Sequence, residues 1–223
     1  IIQPLIVLPY LTRVLGPEKF GLIAFALSFM EYFNVIIDYG FNLTATRAIS
    51  VNYENKQEVN RIFSNVFYTK GLLLGISFFI MILVISIFAK FRMNQELYYF
   101  SATMVLGHAL FPIWYFQGIE KMKYISIMNL IAKLIFTVCI FVFVKTKDDF
   151  MLVPLLNGLG YVSVGIISLI IIFHRYKISL FLPAFREIIN TLKEGLAVFI
   201  SNLAPNLYNN SSTFLLGFFT NNV

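Results

Sequence analysis

KGLLLGISFFIMILVISIFAK, residues 70–90, has a lysine at each end and no charge between them. About 20 helical residues cross the ~30 Å hydrocarbon layer of a bilayer, so this run alone points to a membrane-spanning helix. Gly71 and Gly75 form a small-xxx-small pattern, a helix-packing device without chemistry of its own. Lys70, read as near a helix end, is placed to snorkel toward the interface. Working outward, the length test is met by 20–39, 62–89, 97–116, 124–144, 150–173 and 196–219, and a partial segment ends near Val14. The expectation is an all-α polytopic membrane bundle of seven segments.

Composition agrees. Of 223 residues, 59% are hydrophobic and 13% charged, with a mean hydropathy of +0.80; soluble domains carry about 25% charged residues. The net charge of +6 needs no nucleic acid, because inner-membrane proteins gather Lys and Arg on cytoplasmic loops. A single cysteine, Cys139, rules out a disulfide framework or a cysteine-based zinc site. Ile1 is no initiator, the first residues read as the second half of a helix, and the chain stops after an apolar segment. The expectation is an internal piece of a longer protein.

The connections are short, and two longer ones, 47–61 and 174–195, fall on one side. That side holds Arg47, Lys56, Arg61, Lys121, Lys123, Arg175, Lys177, Arg186 and Lys193, against Arg13, Lys19, Lys90, Arg92, Lys145 and Lys147 on the other. The positive-inside rule makes the richer side cytoplasmic. Within 174–195, Phe185, Ile188, Ile189 and Leu192 share one helical face, with Pro183 before them and Gly195 closing the run. A short amphipathic helix on the inner leaflet and a connector helix packed on the bundle both fit this pattern. PLIVLPYLTRVLG (4–16) and PNLYNNSSTFLLG (205–217) share Pro, Thr, Leu and Gly in register, as two repeated halves would.

Polar residues at membrane depth carry the functional signal. Glu31, Asn34, Asp38 and Asn42 step by three or four and fall within about 80° of arc. Arg47 would lie nearly opposite on an unbroken helix, so either Gly40 bends the chain or Arg47 anchors at the cytoplasmic interface. Ser126, Asn129, Lys133 and Thr137 form a second stripe, with Lys133 ~14 Å below Tyr124. A midplane lysine costs about 2.5–3.5 kcal/mol to insert; a counter-charge from Glu31 or Asp38, or a hydrated substrate-facing cavity, would offset this. The segment 196–219 is rich in Asn and Ser, with Asn206 and Asn210 prominent, and suits a hydrated lining or polar helix packing. His108 reads as a hydrogen-bonded core histidine. No phosphate-cradling glycine loop, HExxH, nucleophile elbow or Cys/His ligand set is present. The pattern points to a transporter rather than an enzyme, with no cofactor or metal called for.

LPYLTRVLGPEKFGLIAFALSFMEYFNVIIDYGFNLTATRAIS (8–50) resembles the start of bacterial Wzx-type polysaccharide flippases, which move O-antigen repeat units. WYFQGIEKMKYISIMNLIAK (114–133) and EGLAVFISNLAPNLYNNSSTFLLGFFTNN (194–222) are similar to the same family further along. The resemblance implies a member of the multidrug/oligosaccharidyl-lipid/polysaccharide exporter superfamily, with about twelve helices in two halves around a cavity. Residues 1–173 would be the first half, 174–195 a cytoplasmic connector and 196–223 helix seven. It implies translocation of an undecaprenyl-pyrophosphate-linked oligosaccharide across the bacterial inner membrane. It also implies membrane lipids and other polysaccharide-assembly membrane proteins as partners. Under that reading Lys133 and Arg47 meet the pyrophosphate. Asn42, Asn129, Asn206 and Asn210 meet sugar hydroxyls, and Glu31 and Asp38 couple an ion or balance charge. A cation-coupled multidrug antiporter of the same superfamily, or a membrane-embedded polymerase or acyltransferase, are the competing readings.

Overall fold

The computed structural model describes residues 2–219, less the side chains at 2, 207, 209, 210, 213, 217 and 219. Among the described residues there are helices and no strands. The first helix, α1 (Ile2–Asp38), is broken at Gly16 (φ 79, ψ 167), immediately before Pro17. Proline lacks the N–H and its ring pushes the preceding residue out of the α region, so one long helix becomes two arms. These arms correspond to the partial segment and to 20–39.

A second break follows at Tyr39 (φ 42) and Gly40 (φ 83), and α2 (Phe41–Val51) continues beyond it. The α3 helix (Lys56–Ile87) starts where Asn55 Oδ1 accepts the Glu58 N–H at 3.2 Å. A short α4 (Ala89–Arg92) leads into α5 (Gln95–Leu110). The expected single segment 97–116 is interrupted at Phe111–Pro112, and α6 (Ile113–Gly118) follows. Next come α7 (Met122–Phe143), a 3₁₀ turn at Lys147–Met151, and α8 (Leu152–Arg175). The last helix, α9 (Phe185–Phe219), runs through Gly195 without stopping. The expected end of the amphipathic helix at Gly195 is therefore corrected. The glycine serves a close contact instead, since a Cβ there would sit 2.9 Å from Tyr39 Cδ1.

Four stretches of the described residues are long and apolar enough to cross a membrane: Gln3–Val51, Lys56–Ile87, Met122–Phe143 and Lys147–Arg175. The first holds both arms of α1 together with α2. At 16 residues α5 is short for a crossing, and the amides and hydroxyls of α9 lower its apolar character. Exposed Phe79 and Ile82 on α3, and Leu130, Leu134 and Val138 on α7, give these helices greasy outer faces.

The tightest packing joins α5 to α8, and glycine makes it possible. A Cβ at Gly158 would fall 2.0 Å from Thr103 Oγ1, and one at Gly107 would fall 2.5 Å from Tyr161 Cβ. Small residues let helix backbones approach where lipid offers no hydrophobic drive for association. Gly71 and Gly75 do not play that role here: both are exposed, with nothing within 4 Å of an added Cβ. The ends of the bundle are tied separately. At one end the Tyr10 hydroxyl donates to the Val144 carbonyl (2.8 Å) and Lys19 lies 4.4 Å over the Phe150 ring. At the other, Arg61 pairs with Glu187 at 2.9 Å and Asn60 Oδ1 accepts the Ser179 N–H at 3.3 Å. The two longer connections thus meet on one side.

Candidate functional site: a polar cavity at the helix break

The break between α1 and α2 places the acidic stripe beside α9. Gly40 is required there twice over. Its φ of 83° is strained for any residue with a Cβ, and that Cβ would lie 2.7 Å from Val198. Tyr39 stacks on Phe199 with ring centroids 4.6 Å apart and planes 14° from parallel. With Phe199 fixed, Asn202 and Asn206 follow three and seven residues later on the same face of α9. They close a cavity of about 310 Å³ whose other polar walls are Glu31, Asn34, Asp38 and Asn42, with His108 entering from α5.

Charge and hydrogen bonding within it are uneven. Lys70 of α3 is 4% exposed, and its Nζ lies 3.3 Å from Asp38 Oδ1. The Asn42 amide reaches Asp38 Oδ2 from the other side at 3.5 Å, a long contact. Asn206 donates to the Asn202 carbonyl at 2.7 Å. Asn34 is 5% exposed, yet neither its Oδ1 nor its Nδ2 finds a partner. His108 Nε2 is likewise buried and unpartnered, with the imidazole 4.6 Å from the Tyr161 ring. Buried amides are normally hydrogen-bonded, which sets Asn34 and His108 apart among the residues lining the cavity. A second polar pocket, of about 280 Å³, lies between α2, α3 and α9 beside the Arg61–Glu187 pair. Among the described residues no group of three or more His, Cys, Asp and Glu side chains could hold a metal.

The residues singled out from sequence divide into two sets. Glu31, Asp38, Asn42 and Asn206 converge on the cavity. Arg47 on α2 and Lys133 on α7 are exposed, Asn129 is half-buried, and none of the three lines it. The Asn210 side chain lies outside the described residues. Among the described residues Asp38 pairs with Lys70 and not with Lys133. Lys70 was expected to snorkel, but α3 begins at Lys56, which puts Lys70 about 21 Å along the helix. The longer start of α3 is the signal that would have found it. His108, expected to be hydrogen-bonded in the core, lines the cavity with its buried Nε2 unpartnered.

The family described as "Polysaccharide biosynthesis protein" matches residues 1–223. The chain belongs to that family. Within it, the chain is 32% identical over 215 residues to a protein of Escherichia coli (strain K12) named "Putative O-antigen transporter". That match covers 96% of this chain and 52% of the relative. A protein of the same name from Shigella dysenteriae is 32% identical over 216 residues, covering 97% of this chain and 54% of its own length. The chain spans about half the length of these curated relatives of the polysaccharide biosynthesis family. No solved structure matches it.

Proposed function

We propose that the full protein is a flippase that carries an undecaprenyl-pyrophosphate-linked oligosaccharide across the bacterial inner membrane for surface-polysaccharide assembly. The observation that carries this reading is the polar-lined cavity at the α1–α2 break, set inside a bundle whose outer faces are apolar. A lipid-linked sugar needs both environments, polar walls for the head and lipid for the prenyl tail. The E. coli and Shigella relatives named for O-antigen transport support the substrate class.

In this reading residues 1–173 form the first half, 174–195 the connector, and 196–223 open the second half. Arg47 and Lys133, exposed on α2 and α7, meet the pyrophosphate, replacing part of its hydration as it crosses a layer of low dielectric. Asn129 lies on the Lys133 face, and Asn42, Asn206 and Asn210 serve the sugar. Transport needs no cofactor, and other polysaccharide-assembly membrane proteins are the natural neighbours. Complementation tests it: the full-length gene should restore surface polysaccharide to a strain lacking its own flippase, and an unrestored surface with normal protein levels would refute it.

A second reading is favoured by one observation. Glu31 and Asp38 face one cavity, and Asp38 is paired with the buried Lys70, an arrangement suited to coupling a cation to antiport of a small molecule. Drug-stimulated cation exchange without transport of lipid-linked sugar would select it.

A further inference from the structure

The cavity at the helix break has a chemistry more specific than polarity. We infer that it is a sugar subsite that takes a hydroxyl-rich ring bearing no carboxylate, either neutral or carrying a free amine; this rests on the flippase reading above.

Three observations lead there. The first is Asn34, 5% exposed with both amide atoms unpartnered. Its Nδ2 must donate and its Oδ1 must accept. A bare cation would satisfy only the oxygen, and an anion only the nitrogen, leaving the other atom buried and unpaired at a cost of about 1–3 kcal/mol. A hydroxyl group donates and accepts at once, and adjacent ring hydroxyls satisfy both atoms. The second is charge. Glu31 and Asp38 accept hydrogen bonds and donate none when ionised. Among the described residues the one buried lysine or arginine near them, Lys70, is already engaged by Asp38 at 3.3 Å. An incoming carboxylate would meet an acidic wall with no free counter-charge from Lys70, and like charges placed together cost several kcal/mol. The third is shape. Phe199 offers an apolar wall among the polar ones, and the volume of about 310 Å³ falls at the lower end of ligand sites, which run about 300–1,000 Å³. That suits one sugar ring rather than a whole repeat unit. The same acidic wall keeps the pyrophosphate out of this cavity.

The test uses the full-length protein in strains that lack a flippase and make one of three lipid-linked units: neutral hexoses only, a unit with a free amino sugar, or a unit with a uronic acid. Surface polymer and membrane abundance are measured together. The expected result is export of the first two and at least about tenfold less of the uronate unit, a margin within the cost of a like-charge contact. Glu31→Gln should raise the ratio of uronate to neutral export several-fold. Asn34→Leu, which keeps the volume but removes both hydrogen-bonding atoms, should cut neutral export at normal abundance. Should Asn34→Leu reduce abundance instead, Asn34→Asp, which keeps the oxygens but loses the donor, should cut it in the same way. Equal export of uronate and neutral units by the wild type overturns the subsite and leaves the flippase reading standing. Export unaffected in both Asn34 variants at normal abundance shows a cavity holding water alone, and overturns it too. Failure of the wild type to export any of the three units refutes the flippase reading instead.

Discussion

Replacing Lys70 with Met keeps the length and the apolar stem of the side chain and removes the charge. At the observed 3.3 Å separation from Asp38, two unit charges attract by about 5 kcal/mol at an effective dielectric of about 20. Burying the ammonium costs several kcal/mol of that. Asp38 is itself 41% exposed at its side chain, so water screens part of the remainder. A net coupling of about 1–3 kcal/mol is left. Lys70→Met should therefore lower stability, because Asp38 and Glu31 then share one cavity without a cation. Asp38→Asn alone should lower it as well, by orphaning a buried ammonium. Lys70→Met combined with Asp38→Asn should recover most of the loss. Melting of the purified full-length protein in detergent, run as a double-mutant cycle, reads the coupling directly. Additive effects, with the double variant as destabilised as the two losses summed, would refute the pair as a structural element.

Gly158→Leu should disrupt the α5–α8 contact and deplete the protein from the membrane, because a Cβ alone already falls 2.0 Å from Thr103 Oγ1; Gly75→Leu, facing open space, should leave abundance unchanged on an immunoblot. In a Cys139→Ala background, cysteines near Lys56 and Arg186 should resist an impermeant thiol reagent applied from outside, while those near Lys19 and Lys147 react; strong outside labelling at 56 would invert the topology. A cysteine at Asn206, on the cavity wall, should be labelled in opened membranes in at least one conformational state, and persistent inertness in a folded protein would mean the cavity is closed to water. Lys133→Ala should lose polysaccharide export at normal abundance and Lys133→Arg should retain part of it; wild-type export by both removes Lys133 from pyrophosphate binding.

Much of this architecture was legible in the chain because hydrocarbon imposes a simple length rule. The runs around 62–89, 124–144 and 150–173 became α3, α7 and α8 with small shifts. Breaks were only partly legible: Gly16–Pro17 falls between two expected segments, whereas Phe111–Pro112 lies inside 97–116, which was expected as one. Gly195 misled, because a glycine that ends a helix and one that admits a neighbouring ring look alike in sequence. Only Tyr39, far away in the chain, decides between them. The acidic stripe of Glu31, Asp38 and Asn42 was visible from its spacing alone, since helical periodicity sets which residues share a face. The roles of Lys70 and His108 were not, because Lys70 meets Asp38 from α3 and His108 lines the cavity from α5 through tertiary packing that no local period records. Helical spacing likewise placed Lys133 and Asn129 on one face of α7, but it cannot say what that face meets; in the structure Lys133 lies on the exposed surface.

Transport itself is the most direct test. Full-length protein reconstituted in vesicles should move a fluorescent undecaprenyl-pyrophosphate-linked oligosaccharide between leaflets, read as the fraction accessible to a membrane-impermeant quencher. The rate should exceed that of protein-free vesicles and fall sharply in a variant combining Glu31→Leu and Asn34→Leu at equal protein content. Vesicles holding folded wild-type protein that flip no faster than empty ones would contradict the account, and equal flipping by the double variant would take the cavity at the α1–α2 break out of the transport path.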